Sequence, residues 1–374
     1  MIFSDLKKHI DWLLFFAILP ILVFGLVTMS SFSAEDYFFE KQLIWIAVSL
    51  LIFFGFSFVD FRFMKRTEIL VGVYLLTNLL LLALFVFGST IKGAESRFDF
   101  GFFFFQPAEI MKIVLILVLA KYFSRRHIEI AHFRHIVVSG VYAFLPFVLI
   151  FLQPDLGSAI IIFLIWFGMI LVSGISKKHL AFVFLAGALA FSSLWFFAFE
   201  DYQKDRILSF VNPLADIQGA GYNAYQSTIA VGSGQIFGKG IGYGTQSKLR
   251  FLPEYQTDFI FAAFAEEWGY IGVIILFALF AVVIWRVLAN SLYGTTNFEI
   301  LFGLGFAIML ISHFAINIGM NIGLAPITGI TIPFMSYGGT HLMAEFAGLG
   351  ILMGMRRYSK GVHRDDLKNE FLGI

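Results

Sequence analysis

Ten apolar runs follow one another along this chain, near 11–31, 41–59, 68–88, 108–124, 134–152, 155–173, 179–199, 258–286, 297–320 and 332–355. Each is close to the roughly 17 to 25 residues that a helix needs to cross a hydrocarbon core. In lipid every backbone N–H and C=O must be paired within the segment, so runs of this length become helices. A chain that is 59% hydrophobic and 14% charged, with mean hydropathy +0.86, has too little polar surface to cover a soluble globule. The expected fold is all-α: a polytopic membrane protein of about ten transmembrane helices, residues 1–374 forming a single integral membrane domain.

The basic residues set the orientation. Lys7 and Lys8 precede the first run, and no small-residue cleavage site follows it, so the first span is read as uncleaved. With the N-terminus in the cytoplasm, Arg62, Lys65, Arg66, Lys121, Arg125, Arg126, Arg134, Lys177, Lys178, Arg286, Arg356 and Arg357 fall on the same side, as the positive-inside rule favours. Ten spans return the C-terminus to that side. One large extracytoplasmic loop, 200–257, then joins spans seven and eight, and the other loops are short.

Two function classes drop out. The net charge is +1 and the cations lie in short juxtamembrane clusters, which gives no footing for a nucleic-acid partner. The chain has no cysteine, which excludes disulfides, thiolate metal sites and cysteine nucleophiles.

Ionisable groups near the bilayer core are costly enough to be functional suspects. Asp258 closes the polar stretch Gly242–Thr257 and opens the apolar run Phe259–Phe264, a boundary where a carboxylate meets both water and lipid. It is a candidate active-site base. Glu109 and Lys112, three apart after Gln106-Pro107, share a helix face. They fit either an ion pair at a polar helix start or a phosphate-binding lysine. Asp155, at the turn after Gln153-Pro154, fits an N-cap or a site residue. Glu266 and Glu267 lie two turns into span eight and read as structural, facing a water-filled cavity or pairing with Lys112 or another buried cation. In the external segment, Tyr222–Val231 has helical spacing and leads into a glycine-rich run, Gly232–Gly244. Those glycines suit a flexible hairpin or a close backbone approach to an anion, and no nucleotide-loop spacing fits them. Arg206, Lys239, Lys248 and Arg250 gather cations on a side otherwise poor in them, an arrangement suited to a lipid pyrophosphate. Ile332–Gly339 opens the last span with a proline and a glycine pair, the mark of a close helix contact or a broken helix beside a cavity. His313 and His341 lack ligand spacing, so no metal site is read.

Five stretches together resemble the SEDS family of bacterial morphogenesis: Phe105-Gln-Pro-Ala-Glu-Ile-Met-Lys112, Gln153-Pro-Asp-Leu-Gly157, Gly244-Thr-Gln-Ser-Lys-Leu-Arg-Phe-Leu-Pro-Glu254, Thr257-Asp-Phe-Ile-Phe261 with Glu266-Glu267, and Pro333-Phe-Met-Ser-Tyr-Gly-Gly339. They run in family order across almost the whole chain, and are closer to the RodA branch than to the FtsW branch. The resemblance implies a ten-span peptidoglycan glycosyltransferase of the cytoplasmic membrane that polymerises lipid II into glycan strands on the outer face, beside a class B penicillin-binding protein that crosslinks them. It places the family's essential aspartate on Asp258, its Glu/Lys pair on Glu109 and Lys112, its Gln-Pro-Asp aspartate on Asp155, and its basic loop positions on Arg206 and Lys239. Two positions depart from the pattern: Gln256 stands where a histidine is common, and Arg97 where a tryptophan is common.

In that reading Asp258 takes the proton from the acceptor's GlcNAc 4-hydroxyl, and the oxygen displaces undecaprenyl pyrophosphate from the donor with inversion. Lys112, Arg206 and Lys239 would stabilise the leaving group, with room left for a divalent cation. The rivals are a flippase for the same lipid, a division-type polymerase of the FtsW kind, and a scaffold for cell-wall enzymes.

Overall fold

In the computed structural model the described residues are 10–31, 37–91, 94–101, 103–124, 133–197, 199, 201–211, 221–249 and 251–372. The apolar runs become α1 (Trp12–Ser30), α2 (Tyr37–Ser57), α3 (Thr67–Phe87), α4 (Pro107–Ser124), α5 (Phe133–Phe151), α6 (Leu156–Val172) and α7 (Lys177–Phe197). The segment between α7 and the next apolar run holds α8 (Asp201–Val211), α9 (Tyr222–Ser233) and the single turn α10 (Thr245–Lys248). The remaining runs become α11 (Ile260–Leu292), α12 (Asn297–Asn321) and α13 (Gly339–Leu372). Seven of these are long and apolar enough to cross a membrane: α1, α2, α3, α5, α7, α11 and α12. α6 is apolar but two residues shorter than α1, α4 carries Glu109, Lys112 and Lys121, and α13 ends in a charged tail. The chain is a multi-pass membrane protein.

The starts of α4, α6, α11 and α13 and the end of α12 lie together. α13 packs along α2, α11 against α1 and α12, and α12 against α4 and α6. Gln106 Nε2 donates to Asp155 Oδ2 at 2.9 Å and Gln106 N to Thr340 Oγ1 at 3.3 Å, which joins the starts of α4, α6 and α13. At the opposite end Asp11 caps α1, accepting from Leu14 N–H at 3.2 Å. It also takes hydrogen bonds from Arg286 and Asn290 of α11 at 2.6 Å each. Burial alone would raise the Asp11 carboxyl, but these donors outweigh it and hold the group below the ordinary carboxylate value.

The structure departs from the sequence reading at three places. A small antiparallel sheet, β1 (Ser89–Ile91), β2 (Ala94–Asp99) and β3 (Phe104–Phe105), fills the connection between α3 and α4, with Phe98 opposite Phe105. The guanidinium of Arg97 lies 5.7 Å over the Phe104 ring, so the residue at the tryptophan position still stacks on an aromatic face. The last span begins at Gly339 and not at 332. Pro333 has no N–H to give a helix, and the neighbouring amides are engaged elsewhere: Ile332 N with Ser336 Oγ, Phe334 N with Glu345 Oε2 and Tyr337 N with the Gln256 carbonyl. α11 runs on to Leu292 and is broken inside at Gly269, where φ is +64° and ψ is −166°.

The break in α11 explains the glycine-rich run. The carbonyls of Glu266 and Glu267 accept from Lys239 and Gly240 N–H at 3.0 and 3.1 Å, while Tyr270 and Ile271 N–H donate to Gln235 and Ile236 at 2.8 and 3.2 Å. Backbone groups freed by the break are thus paired by loop backbone, as a helix interrupted at membrane depth requires. A Cβ at Gly234 would come within 2.0 Å of the Ala265 carbonyl oxygen, and one at Gly238 within 2.0 Å of that of Glu267. Gly234 and Gly238 are there for backbone to lie on backbone.

Candidate functional site

Asp258 sits two residues before the first turn of α11, partly exposed. Its main-chain carbonyl accepts from Asn317 Nδ2 at 3.0 Å and from Asn321 Nδ2 at 3.1 Å. These two asparagines are four apart, so they share one face of α12. Asn317 also donates to the Ile330 carbonyl at 2.7 Å, and Asn321 Oδ1 accepts Ala262 N–H at 3.2 Å. The end of α12, the loop after it and the start of α11 are thereby tied at the catalytic candidate. The neighbouring backbone is held from the same loop: Ser336 Oγ donates to the Thr257 carbonyl at 2.8 Å, and Tyr337 N–H to that of Gln256 at 2.9 Å. Gln256 therefore contributes its backbone to the site's frame. Gly329, at φ +72°, leaves room beside the carboxylate, since a Cβ there would lie 3.5 Å from Asp258 Oδ2.

Glu109 and Lys112 do pair, Lys112 Nζ lying 2.7 Å from Glu109 Oε1. Lys112 also lies 3.2 Å from His313 Nε2 and is 1% exposed, so its ammonium is enclosed by partners. Glu109 Oε2 meets His341 Nδ1 at 2.8 Å. Asp155 is the N-cap of α6, Oδ1 accepting Ser158 N–H at 3.0 Å while Oδ2 holds Gln106, so both of its oxygens are engaged in structure.

Lys239 Nζ lies 2.7 Å from Glu266 Oε1, and the same carboxylate accepts from Thr245 Oγ1 at 3.2 Å and Gln246 N–H at 3.1 Å. Glu267 Oε1 accepts Gly242 N–H at 2.6 Å. Glu266 is fully enclosed and pairs with the partly exposed Lys239 in place of Lys112, while Glu267 holds a loop amide. Lys248, exposed at the end of α10, approaches the Gly242 carbonyl at 3.5 Å. Arg206 lies on α8, and Arg250 falls outside the described residues.

Sequence reasoning missed Asn317, Asn321 and Glu345. The asparagines had a signal, two amide side chains at helical spacing in an apolar run. Glu345 had another, a lone carboxylate inside the last span.

Residues 9–361 match the FtsW/RodA/SpoVE family profile, described as cell cycle protein. The chain belongs to that family. The peptidoglycan glycosyltransferase MrdB of Escherichia coli K12 is 36% identical over 355 residues, covering 95% of both chains. The stage V sporulation protein E of Bacillus subtilis 168 is 35% identical over 364 residues, covering 95% of this chain and 99% of its own. Among solved structures, a chain of a peptidoglycan synthase complex that coordinates polymerization and crosslinking superposes with TM-score 0.80 at 30% identity, covering 93% of this chain and 98% of that one. The rod shape determining protein RodA of Thermus thermophilus superposes with TM-score 0.70, also at 30% identity, covering 93% and 97%. In this member of the family, Glu109, His313 and His341 offer three ligand atoms within 4.8 Å of one another. They do not fit a divalent ion as arranged, because the Lys112 ammonium already stands against two of them as the local positive charge.

Proposed function

We propose that the protein is a peptidoglycan glycosyltransferase that polymerises lipid II at the outer face of the bacterial cytoplasmic membrane, with Asp258 as general base. The observation that carries this reading is a partly exposed carboxylate whose backbone is clamped by two asparagine amides where three elements meet. A base must be held within hydrogen-bond reach of the proton it removes, and such a clamp fixes its position.

Asp258 removes the proton from the 4-hydroxyl of the acceptor's GlcNAc. The oxygen attacks the anomeric carbon of the donor chain's terminal MurNAc, that carbon's bond to the pyrophosphate oxygen breaks, and undecaprenyl pyrophosphate leaves. A single displacement turns an α donor into a β link. Because the ammonium groups of Lys112 and Lys239 are engaged by Glu109, His313 and Glu266, we assign the leaving-group charge to Arg206, Lys248 and Arg250. A class B penicillin-binding protein is the proposed crosslinking partner, in keeping with the synthase complex whose chain superposes on this one. Both termini then lie in the cytoplasm, on the side that carries most of the basic residues between spans.

The test is polymerisation of purified lipid II by the purified protein, with and without a class B penicillin-binding protein, wild type beside Asp258→Asn. Glycan strands from wild type and none from a folded Asn variant are expected. An active Asn variant removes the base assignment, and no strands from wild type under either condition turns the reading towards lipid transport.

A further inference from the structure

Behind the Asp258 clamp lies a second set of polar groups, all of them buried. Glu109, Lys112, His313, His341 and Glu345 are 6%, 1%, 2%, 6% and 1% exposed. None of them faces solvent, so none is placed to touch a substrate that approaches from outside the bundle. Their hydrogen bonding is nonetheless specific. Lys112 Nζ can only donate, so His313 Nε2 accepts from it, and His313 Nδ1 carries the hydrogen that points to the Thr331 carbonyl at 3.3 Å. His341 Nδ1 lies 2.8 Å from Glu109 Oε2, and His341 Nε2 lies 3.0 Å from Glu345 Oε1. A carboxylate oxygen thus stands against each ring nitrogen, Nδ1 in a hydrogen bond and Nε2 at ion-pair distance only, a setting that favours the imidazolium form of His341. Two cations, Lys112 and His341, then balance two anions, Glu109 and Glu345. Charges buried in a helical bundle persist only when paired in this way.

The cluster ends on one segment of backbone. Glu345 Oε2 accepts Phe334 N–H at 2.9 Å, and His313 faces the Thr331 carbonyl. Those two residues belong to the loop that frames Asp258: Gly329 beside its carboxylate, Ile330 sharing the Asn317 amide with its carbonyl, and Ser336 and Tyr337 holding Thr257 and Gln256. One face of the loop rests on the buried charges and the other on the candidate base.

We infer that His313, His341 and Glu345 are positioning residues, which fix the loop Gly329–Tyr337 through the buried charge cluster and so hold Asp258 where it can accept a proton. The inference rests on the reading of Asp258 as the base. Releasing Thr331 or Phe334 displaces the loop against Asp258, and a displacement of about 1 Å at a reacting group costs about 100-fold in rate. The loss falls on turnover and not on substrate binding, because every member of the cluster is buried away from the surface.

The experiment is steady-state polymerisation of lipid II by the full chain with its class B partner, on Glu345→Gln, His313→Leu, His313→Gln and Asp258→Asn, each first measured for melting temperature and monodispersity. Glu345→Gln and His313→Leu are expected to lose about 100-fold in kcat with KM little changed. His313→Gln, which keeps one donor and one acceptor, should recover most of what His313→Leu loses. Folded Glu345→Gln and His313→Leu proteins with wild-type kcat overturn the inference. So does a loss that tracks the unfolded fraction, with normal turnover per folded molecule, because that is a purely structural role. An inactive Asp258→Asn beside fully active cluster variants removes the positioning claim and leaves the base assignment standing. An active Asp258→Asn removes the base assignment and the inference together.

Discussion

Lys239 Nζ lies 2.7 Å from Glu266 Oε1, and that contact fastens the glycine-rich loop to a helix whose glutamate side chain is fully enclosed. A cation that the resemblance places at a basic loop position thus answers a buried carboxylate.

Removing it leaves that carboxylate without its charge partner. Lys239→Met is expected to destabilise the protein by about 3 kcal/mol, read as a lowered melting temperature in detergent. Adding Glu266→Gln should restore most of the loss. If the lysine instead served the substrate alone, melting would be unchanged and KM would rise.

Gly269 occupies a backbone region that is almost closed to other residues. A Cβ there would also fall 2.2 Å from Gly238 N. Gly269→Ala should therefore cost about 2 kcal/mol or more, whereas Gly232→Ala, with open space around its would-be Cβ, should be close to neutral. Melting temperatures of the two variants decide between this and a merely flexible loop.

The Asp11 carboxyl titrates lower in the folded protein than in the unfolded chain, where the reference value is 3.8. Its contribution is fully present above that value and disappears as pH falls through the folded-state pKa. Wild-type melting temperature should therefore drop more steeply than that of Asp11→Asn as pH is lowered from about 5. Parallel curves for the two proteins would remove Asp11 as the source.

Asp155 caps α6 and holds Gln106. Asp155→Ala should cost about 1 kcal/mol, and Asp155→Asn, still able to cap, much less. Turnover per folded molecule should be similar in both, since neither oxygen is free for substrate. A large loss of turnover in Asp155→Asn at normal stability would give the residue a direct role.

The helices of the ten apolar runs were legible because length and apolarity dictate a helix in lipid, and seven of them are long and apolar enough to cross a membrane. Ile332–Gly338 was not, because Phe334 and Met335 read as span while the backbone around them is fixed by Gln256 and Glu345, distant in sequence. The strands at 89–105 were hidden for a similar reason: short aromatic runs between helices carry little periodicity. In the site, the cost of charge in lipid pointed to Asp258, Glu109, Lys112, Glu266 and Glu267 one at a time. The pairing of Glu109 with Lys112 was readable from their spacing, but the wider partnerships were not, since Lys112 meets His313 across 201 residues and Glu109 meets His341 across 232.

Gln235 and Ile236 accept from Tyr270 and Ile271, and Lys239 and Gly240 donate to Glu266 and Glu267, so this loop tolerates changes in size unevenly. An insertion or deletion of one residue within 235–240 would put one pair of contacts out of step with the other, while the same change in the exposed stretch around Tyr243 would leave the matching intact. Relatives that have gained or lost residues in this loop should have done so outside the matched stretch.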